Sequence, residues 1–144
     1  MPRLSPIERN RTDLEWKEDL KNSIIVLAKI GPKTIGVIKG VKSPNVEEEG
    51  IWRINSVYLN PNFRKSVTGE NTAEKMLKMV LEEERRRGAV KSRLWVLSAR
   101  EAPIKLYEKL GFKKLGQSEA LEVMGDPKYL SELQIMELDF TNKL

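Results

Sequence analysis

The sequence contains no cysteine and no histidine, and these two absences exclude more chemistry than its motifs supply. Thiolate nucleophiles, imidazole bases and metal sites built on nitrogen or sulfur all need one or the other. Carboxylates, hydroxyls, amines and backbone groups remain available for catalysis. A disulfide framework is excluded, and the opening MPRLSPIERN lacks the apolar core of a secretory signal, so the expected location is cytoplasmic. No apolar run approaches the roughly 20 residues that a membrane-spanning helix needs, so no membrane partner is expected. Aromatic residues make up only 6% of the chain and do not alternate with basic ones, which makes a nucleic-acid stacking surface unlikely. Repeats, low-complexity tracts and linkers rich in glycine, serine or proline are also missing, so the 144 residues are expected to form a single domain, 1–144.

Charge, by contrast, is abundant and uneven. Lysine and arginine exceed aspartate and glutamate by 10 to 8 in residues 1–60 and by 14 to 7 in residues 61–116, but trail by 2 to 6 in residues 117–144. A basic middle concentrates polyanions, either a phosphorylated cofactor or a nucleic-acid backbone. It is equally the mark of a solvated charged surface.

Hydrophobic spacing predicts the elements. Leu14, Trp16 and Leu20 among charges suggest a short helix over Asp13–Asn22. Ser23–Ile30 and Thr34–Val41 are rich in β-branched residues and flank a Gly-Pro turn, which reads as a hairpin. Residues 50–60, GIWRINSVYLN, read as a third strand ending at Pro61. Ala73, Met76, Leu77, Val80 and Leu81 recur at three- and four-residue spacing and predict the longest helix, over residues 72–87. Asn71 and Glu74 form a variant capping box at its start and Gly88 stops it, with Glu82–Arg86 and Glu83–Arg87 as helical ion pairs. Ser92–Ser98 reads as a strand covered on both faces, and a helix with Pro103 in its first turn follows, closed by Gly111. FKKLGQ from Phe112 and LQIMELDF from Leu133 complete the order as two further strands.

Two segments carry chemistry. The third strand ends in VYLNPNFRK and passes through SVTGEN into the long helix. A helix start offers unpaired amides and the positive end of a dipole to phosphates. Gly69 permits close backbone approach, and Arg64 and Lys65 add charge. The second segment is APIKLYEKLGFKKLG, Ala102–Gly116, with Tyr107 on the face shared by Ile104 and Leu110. On spacing alone Tyr107 is either a core residue or a proton donor. The LYEKLGF string, with the strand, loop and long helix before it, resembles the GNAT superfamily of acetyl-CoA-dependent N-acetyltransferases from about Ile24 to the C-terminus.

That resemblance implies a mixed α/β (α+β) fold: a mostly antiparallel central sheet splayed to hold a cofactor, with helices on both faces. Coenzyme A would lie between the third strand and the strand after the long helix. Val57 and Leu59 would offer backbone groups to pantetheine, and Gly69, Asn71, Thr72 and Ala73 would receive the pyrophosphate, with Arg64 and Lys65 nearby. Tyr107 would protonate the departing thiolate, and a primary amine on a small molecule or protein would attack acetyl-CoA directly in a ternary complex. Whether the chain is a monomer or a homodimer is left open. Three departures stand out. The loop before the long helix is longer and reads TGENTA, Arg100 stands where many members have asparagine, and Arg53 stands where some have a carboxylate base. Glu49, or water held by Asn55 and Ser56, are the substitutes for that base. Two other readings follow from these features, a non-catalytic acyl-CoA-binding sensor and a basic nucleic-acid-binding module.

Overall fold

Ile24, Val26 and Ala28, alternate residues of Ser23–Ile30, are fully buried, so this segment is a strand with one face on a core. The computed structural model describes residues 13–17, 22–60, 72–126, 128 and 132–141. Its strands are β1 (Asp13–Lys17), β2 (Ser23–Ile30), β3 (Lys33–Lys42), β4 (Ile51–Leu59), β5 (Lys91–Leu97), β6 (Lys113–Lys114) and β7 (Leu133–Asp139). The helices are α1 (Thr72–Arg86), α2 (Glu101–Lys109) and α3 (Gln117–Met124), with a 3₁₀ turn at Val46–Glu48. The seven strands form one sheet in the order β1-β2-β3-β4-β5-β7-β6. Every pairing is antiparallel except β4 with β5.

The hairpin, the third expected strand (β4), the long helix and the strand after it form as expected, but β5, read as covered on both faces, is buried on one and only partly covered on the other. The helix expected over Asp13–Asn22 does not. Residues 13–17 form β1, in register with β2 from Asp13↔Lys29 to Lys17↔Ile25. DLEWK alternates polar and apolar residues, the period of a strand, and a neighbouring edge decides in its favour. The strand expected from Phe112 shrinks to Lys113–Lys114, and a helix not foreseen, α3, occupies Gln117–Met124.

Strand order and handedness place the helices. The β4–α1–β5 and β5–α2–β6 crossovers run the same way across the sheet, and right-handed connections set both helices on one face. Met76, Leu77 and Val80 of α1 and Ile104 and Tyr107 of α2 therefore share one core with Ile24, Val26, Ile38, Trp52, Ile54 and Leu94. Ile135 of β7 and Ala120 of α3 are buried outside that core, marking a smaller packing on the opposite face. There Arg93 of β5 also binds, donating to Glu137 and Glu48 at 2.8 Å each.

One carboxyl breaks the apolar pattern beneath α1. Glu84 is completely buried, and among the described residues neither of its oxygens has a hydrogen-bond partner. Gly40 of β3 makes room for it, since a Cβ there would lie 2.7 Å from Glu84 Oε2. Burial raises its pKa to about 8; the Ser92 hydroxyl opposes that rise without forming a hydrogen bond of full geometry.

Candidate active site

Strands β4 and β5 begin side by side and then part. Their parallel pairing covers only Ile51↔Lys91, Trp52↔Ser92 and Arg53↔Arg93. Just beyond, β4 carries an extra residue: Lys39 pairs with Asn55 but Val37 pairs with Tyr58, so three steps of β4 oppose two of β3. Such a bulge bends its strand and sharpens the twist, which turns β4 away from β5. Among the described residues, no pairing of β4 with β5 continues beyond Arg53.

A cavity of about 1040 Å³ fills the resulting wedge, bounded by β4, β5, the first turn of α1 and α2. Strand alternation divides its lining. Ile54, Leu94 and Val96 belong to the helix-covered face, with Ala73 and Leu77 of α1 and Leu106 and Tyr107 of α2; Arg53, Asn55, Trp95 and Leu97 belong to the other. Side chains from both faces of the sheet therefore line the cavity, apolar on the helix-covered side and more polar on the other.

Tyr107 is held by its own helix end. Gly111 has φ +104°, a conformation that glycine adopts without a Cβ penalty. The chain thereby reverses, and the Phe112 N–H donates to the Tyr107 carbonyl at 3.0 Å. Phe112, itself buried, packs edge-on against Tyr107, ring centroids 6.0 Å apart and planes at 61°. Contacts of this kind contribute about 1 kcal/mol beyond area burial. The LGF string thus sets the orientation of a tyrosine that is only 8% exposed yet lines the cavity. Burial raises the Tyr107 pKa, and Arg100 pulls it back, so the phenol is a neutral donor at neutral pH.

The first turn of α1 supplies a second polar feature. Thr72, its first residue, is 1% exposed, and its hydroxyl has no hydrogen-bond partner among the described residues. Ala73 lines the cavity beside it. A pair of ion contacts steadies this end, Lys109 of α2 and Lys78 binding Glu74 of α1 at 2.8 and 3.1 Å.

Of the residues expected at the site, the structure brings Val57, Leu59, Ala73 and Tyr107 to the cavity, while Thr72, next to Ala73 in the chain, is buried and does not line it. Arg64, Lys65, Gly69 and Asn71 lie outside the described residues. Asn55 lines the cavity whereas Glu49 does not. Sequence reasoning passed over Trp95, whose ring lies 4.1 Å below the Arg53 guanidinium, and Pro103 and Leu106 on α2. The signal for Trp95 was an aromatic at an outward position of a strand read as covered on both faces.

The acetyltransferase (GNAT) family matches residues 2–112, most of the chain. The chain belongs to that family. Membership assigns acyl transfer with a coenzyme A-type cofactor and, as the family's general class, amine acceptors. Solved structures agree on the fold. A ribosomal-protein-alanine N-acetyltransferase from Brucella melitensis is 19% identical with a TM-score of 0.62, covering 82% of this chain and 69% of its own. The PaiA N-acetyltransferase from Thermoplasma acidophilum, solved with coenzyme A, is 19% identical with a TM-score of 0.61, covering 83% and 62%. An acetyltransferase from Bacillus subtilis, also solved with coenzyme A, is 14% identical with a TM-score of 0.64, covering 90% and 99%. No curated protein matches the sequence. Among the described residues no helix is long and apolar enough to cross a membrane, and no cluster of acidic side chains could hold a metal.

Proposed function

We propose that this chain transfers the acetyl group of acetyl-CoA to a primary amine by direct attack in a ternary complex. The observation that carries the reading is the wedge where β4 and β5 part, because it joins an unpaired strand edge, a helix start and a buried phenol in one cavity. The residues present suit the cofactor. Backbone groups at Val57 and Leu59 would take pantetheine as an added strand. The orphaned Thr72 hydroxyl and the amides at Thr72 and Ala73 would meet pyrophosphate at the positive end of α1, with Arg64, Lys65, Gly69 and Asn71 completing that end. When bound, acetyl-CoA supplies an activated thioester carbonyl.

The chain's own residues do the remaining work. A β4 backbone amide near Val57 or Leu59, beyond the last pairing with β5, would receive negative charge developing on the carbonyl oxygen. Tyr107, neutral and oriented by Phe112, would give its proton to the departing sulfur and regain one, through water, from the nitrogen that has formed the new amide bond. Arg53 and Arg100 at the cavity wall disfavour a protonated amine, which supplies part of what a carboxylate base would otherwise do.

Thermal unfolding with acetyl-CoA tests the binding half, because ligand at a hundred times its Kd adds about 2.7 kcal/mol. Replacement of Tyr107 by Phe tests the chemical half, and kcat is expected to fall about a hundredfold with cofactor affinity nearly unchanged. An unshifted melting curve refutes the cofactor assignment. Binding without acetylation of any amine indicates a sensor.

A further inference from the structure

Arg53 lines the cavity from the sheet face away from α1 and α2, and its surroundings differ from those of the arginine beside it. Arg53 and Arg93 are the last parallel pair of β4 and β5 and point to the same face. Arg93 is neutralised by Glu48 and Glu137, and Lys91 joins Glu137 at 3.3 Å. Arg53 has no carboxylate within ion-pair distance among the described residues and instead lies over Trp95, its Cζ 4.1 Å from the ring centroid. Stacking holds the plane of a guanidinium and leaves its edge of N–H donors open, the fork that matches a carboxylate. Arg100 also lines the cavity, and among the described residues Glu101 is the only acidic side chain that does.

We propose that Arg53, stacked on Trp95, binds a carboxylate carried by the acceptor, so that the acceptor class is amines bearing their own negative charge, amino acids and acidic amines rather than polyamines. This rests on the transferase reading above. If the helix-covered side of the cavity holds the thioester, the acceptor would lie on the Arg53 side, and its carboxylate on Arg53 would direct its amine inward between the strands. The same contact discriminates against diamines, whose second ammonium would face two arginines.

The test compares L-glutamate, L-glutamine amide and 1,4-diaminobutane as acceptors by thiol release. In parallel, calorimetry measures binding of N-acetyl-L-glutamate and its diamide, which needs no turnover. The expected KM for glutamate is at least about tenfold below that of the amide, the scale of one charge-assisted hydrogen-bond pair. Arg53→Met should compress that difference toward unity, Arg53→Lys should restore part of it, and Arg53→Glu should make the diamine the better acceptor. The acetylated probes should show the same pattern in Kd, and unchanged melting temperatures would verify that the variants fold. Equal KM values for acid and amide, or a preference that survives in Arg53→Met, would overturn the assignment of Arg53. Acetylation indifferent to carboxylates leaves the transferase reading standing without this subsite. Carboxylate-selective binding through Arg53 with no turnover of any amine leaves the subsite without the transferase.

Discussion

Replacement of Glu84 by Gln should abolish a pH dependence that the wild-type protein carries between about pH 4.5 and 8. Glu84 of α1 faces Gly40 of β3 with no exposed surface, and among the described residues both its oxygens lack partners. In the folded chain it holds its proton up to about pH 8, whereas unfolded it would release it near 4.5. Across that window the native state binds one more proton than the unfolded state. Stability must therefore fall as pH rises, by a factor of about ten in the folding constant per unit. Contained stability is greatest below the unfolded value and is fully lost once pH passes the folded one. Over the whole window the loss is on the order of 5 kcal/mol, comparable with the total stability of many domains. The chain's composition makes the experiment clean, because without histidine or cysteine no other side chain has an ordinary pKa inside the window. Glu83 and Glu74, both held below the usual carboxylate range by their hydrogen-bonded cations, lose their contributions only in more acid solution. Urea unfolding followed by tryptophan fluorescence from pH 5 to 9 should show a declining wild-type curve and a nearly flat Glu84→Gln curve. The two should cross so that the variant is the more stable above about pH 8. Parallel curves would refute the claim that Glu84 is folded in its protonated form.

Two other substitutions probe the frame around the cavity. Gly111→Ala combines a residue at φ +104° with a Cβ only 3.0 Å from Leu138 Cδ1, so a loss of about 1–2 kcal/mol is expected in denaturant titration, together with a lower kcat, because Phe112 no longer packs on Tyr107. Arg93→Met removes the cation shared by Glu48 and Glu137, both partly buried, and should cost about 1–3 kcal/mol, with the loss smaller in 1 M salt than in 0.1 M.

How much of this was legible in the sequence depends on whether the deciding contact was local. Met76, Leu77, Val80 and Leu81 repeat at helical spacing and bury together, so α1 could be read directly. The LYEKLGF string pointed to Tyr107 because its geometry is local, a glycine reversal that folds Phe112 back on the preceding turn. β1 was misread since Leu14, Trp16 and Leu20 satisfy a loose helical spacing, while its strand state depends on the edge of β2. α3 escaped notice because it buries only Ala120 and so carries almost no apolar period. The wedge itself was expected from resemblance, yet its outer wall was not. Arg53 and Trp95 are 42 positions apart in the numbering and meet only because β4 and β5 run parallel.

The central claim is that the gap between β4 and β5 is the cofactor site. Amide chemical shifts recorded as acetyl-CoA is added test it most directly. The account predicts saturable shifts at Val57 and Leu59 of β4, Thr72 and Ala73 of α1, and Tyr107 of α2, with the β2–β3 turn at Gly31 unmoved. Saturable shifts confined to the hairpin or to α3, with β4 and the start of α1 unchanged, would contradict it.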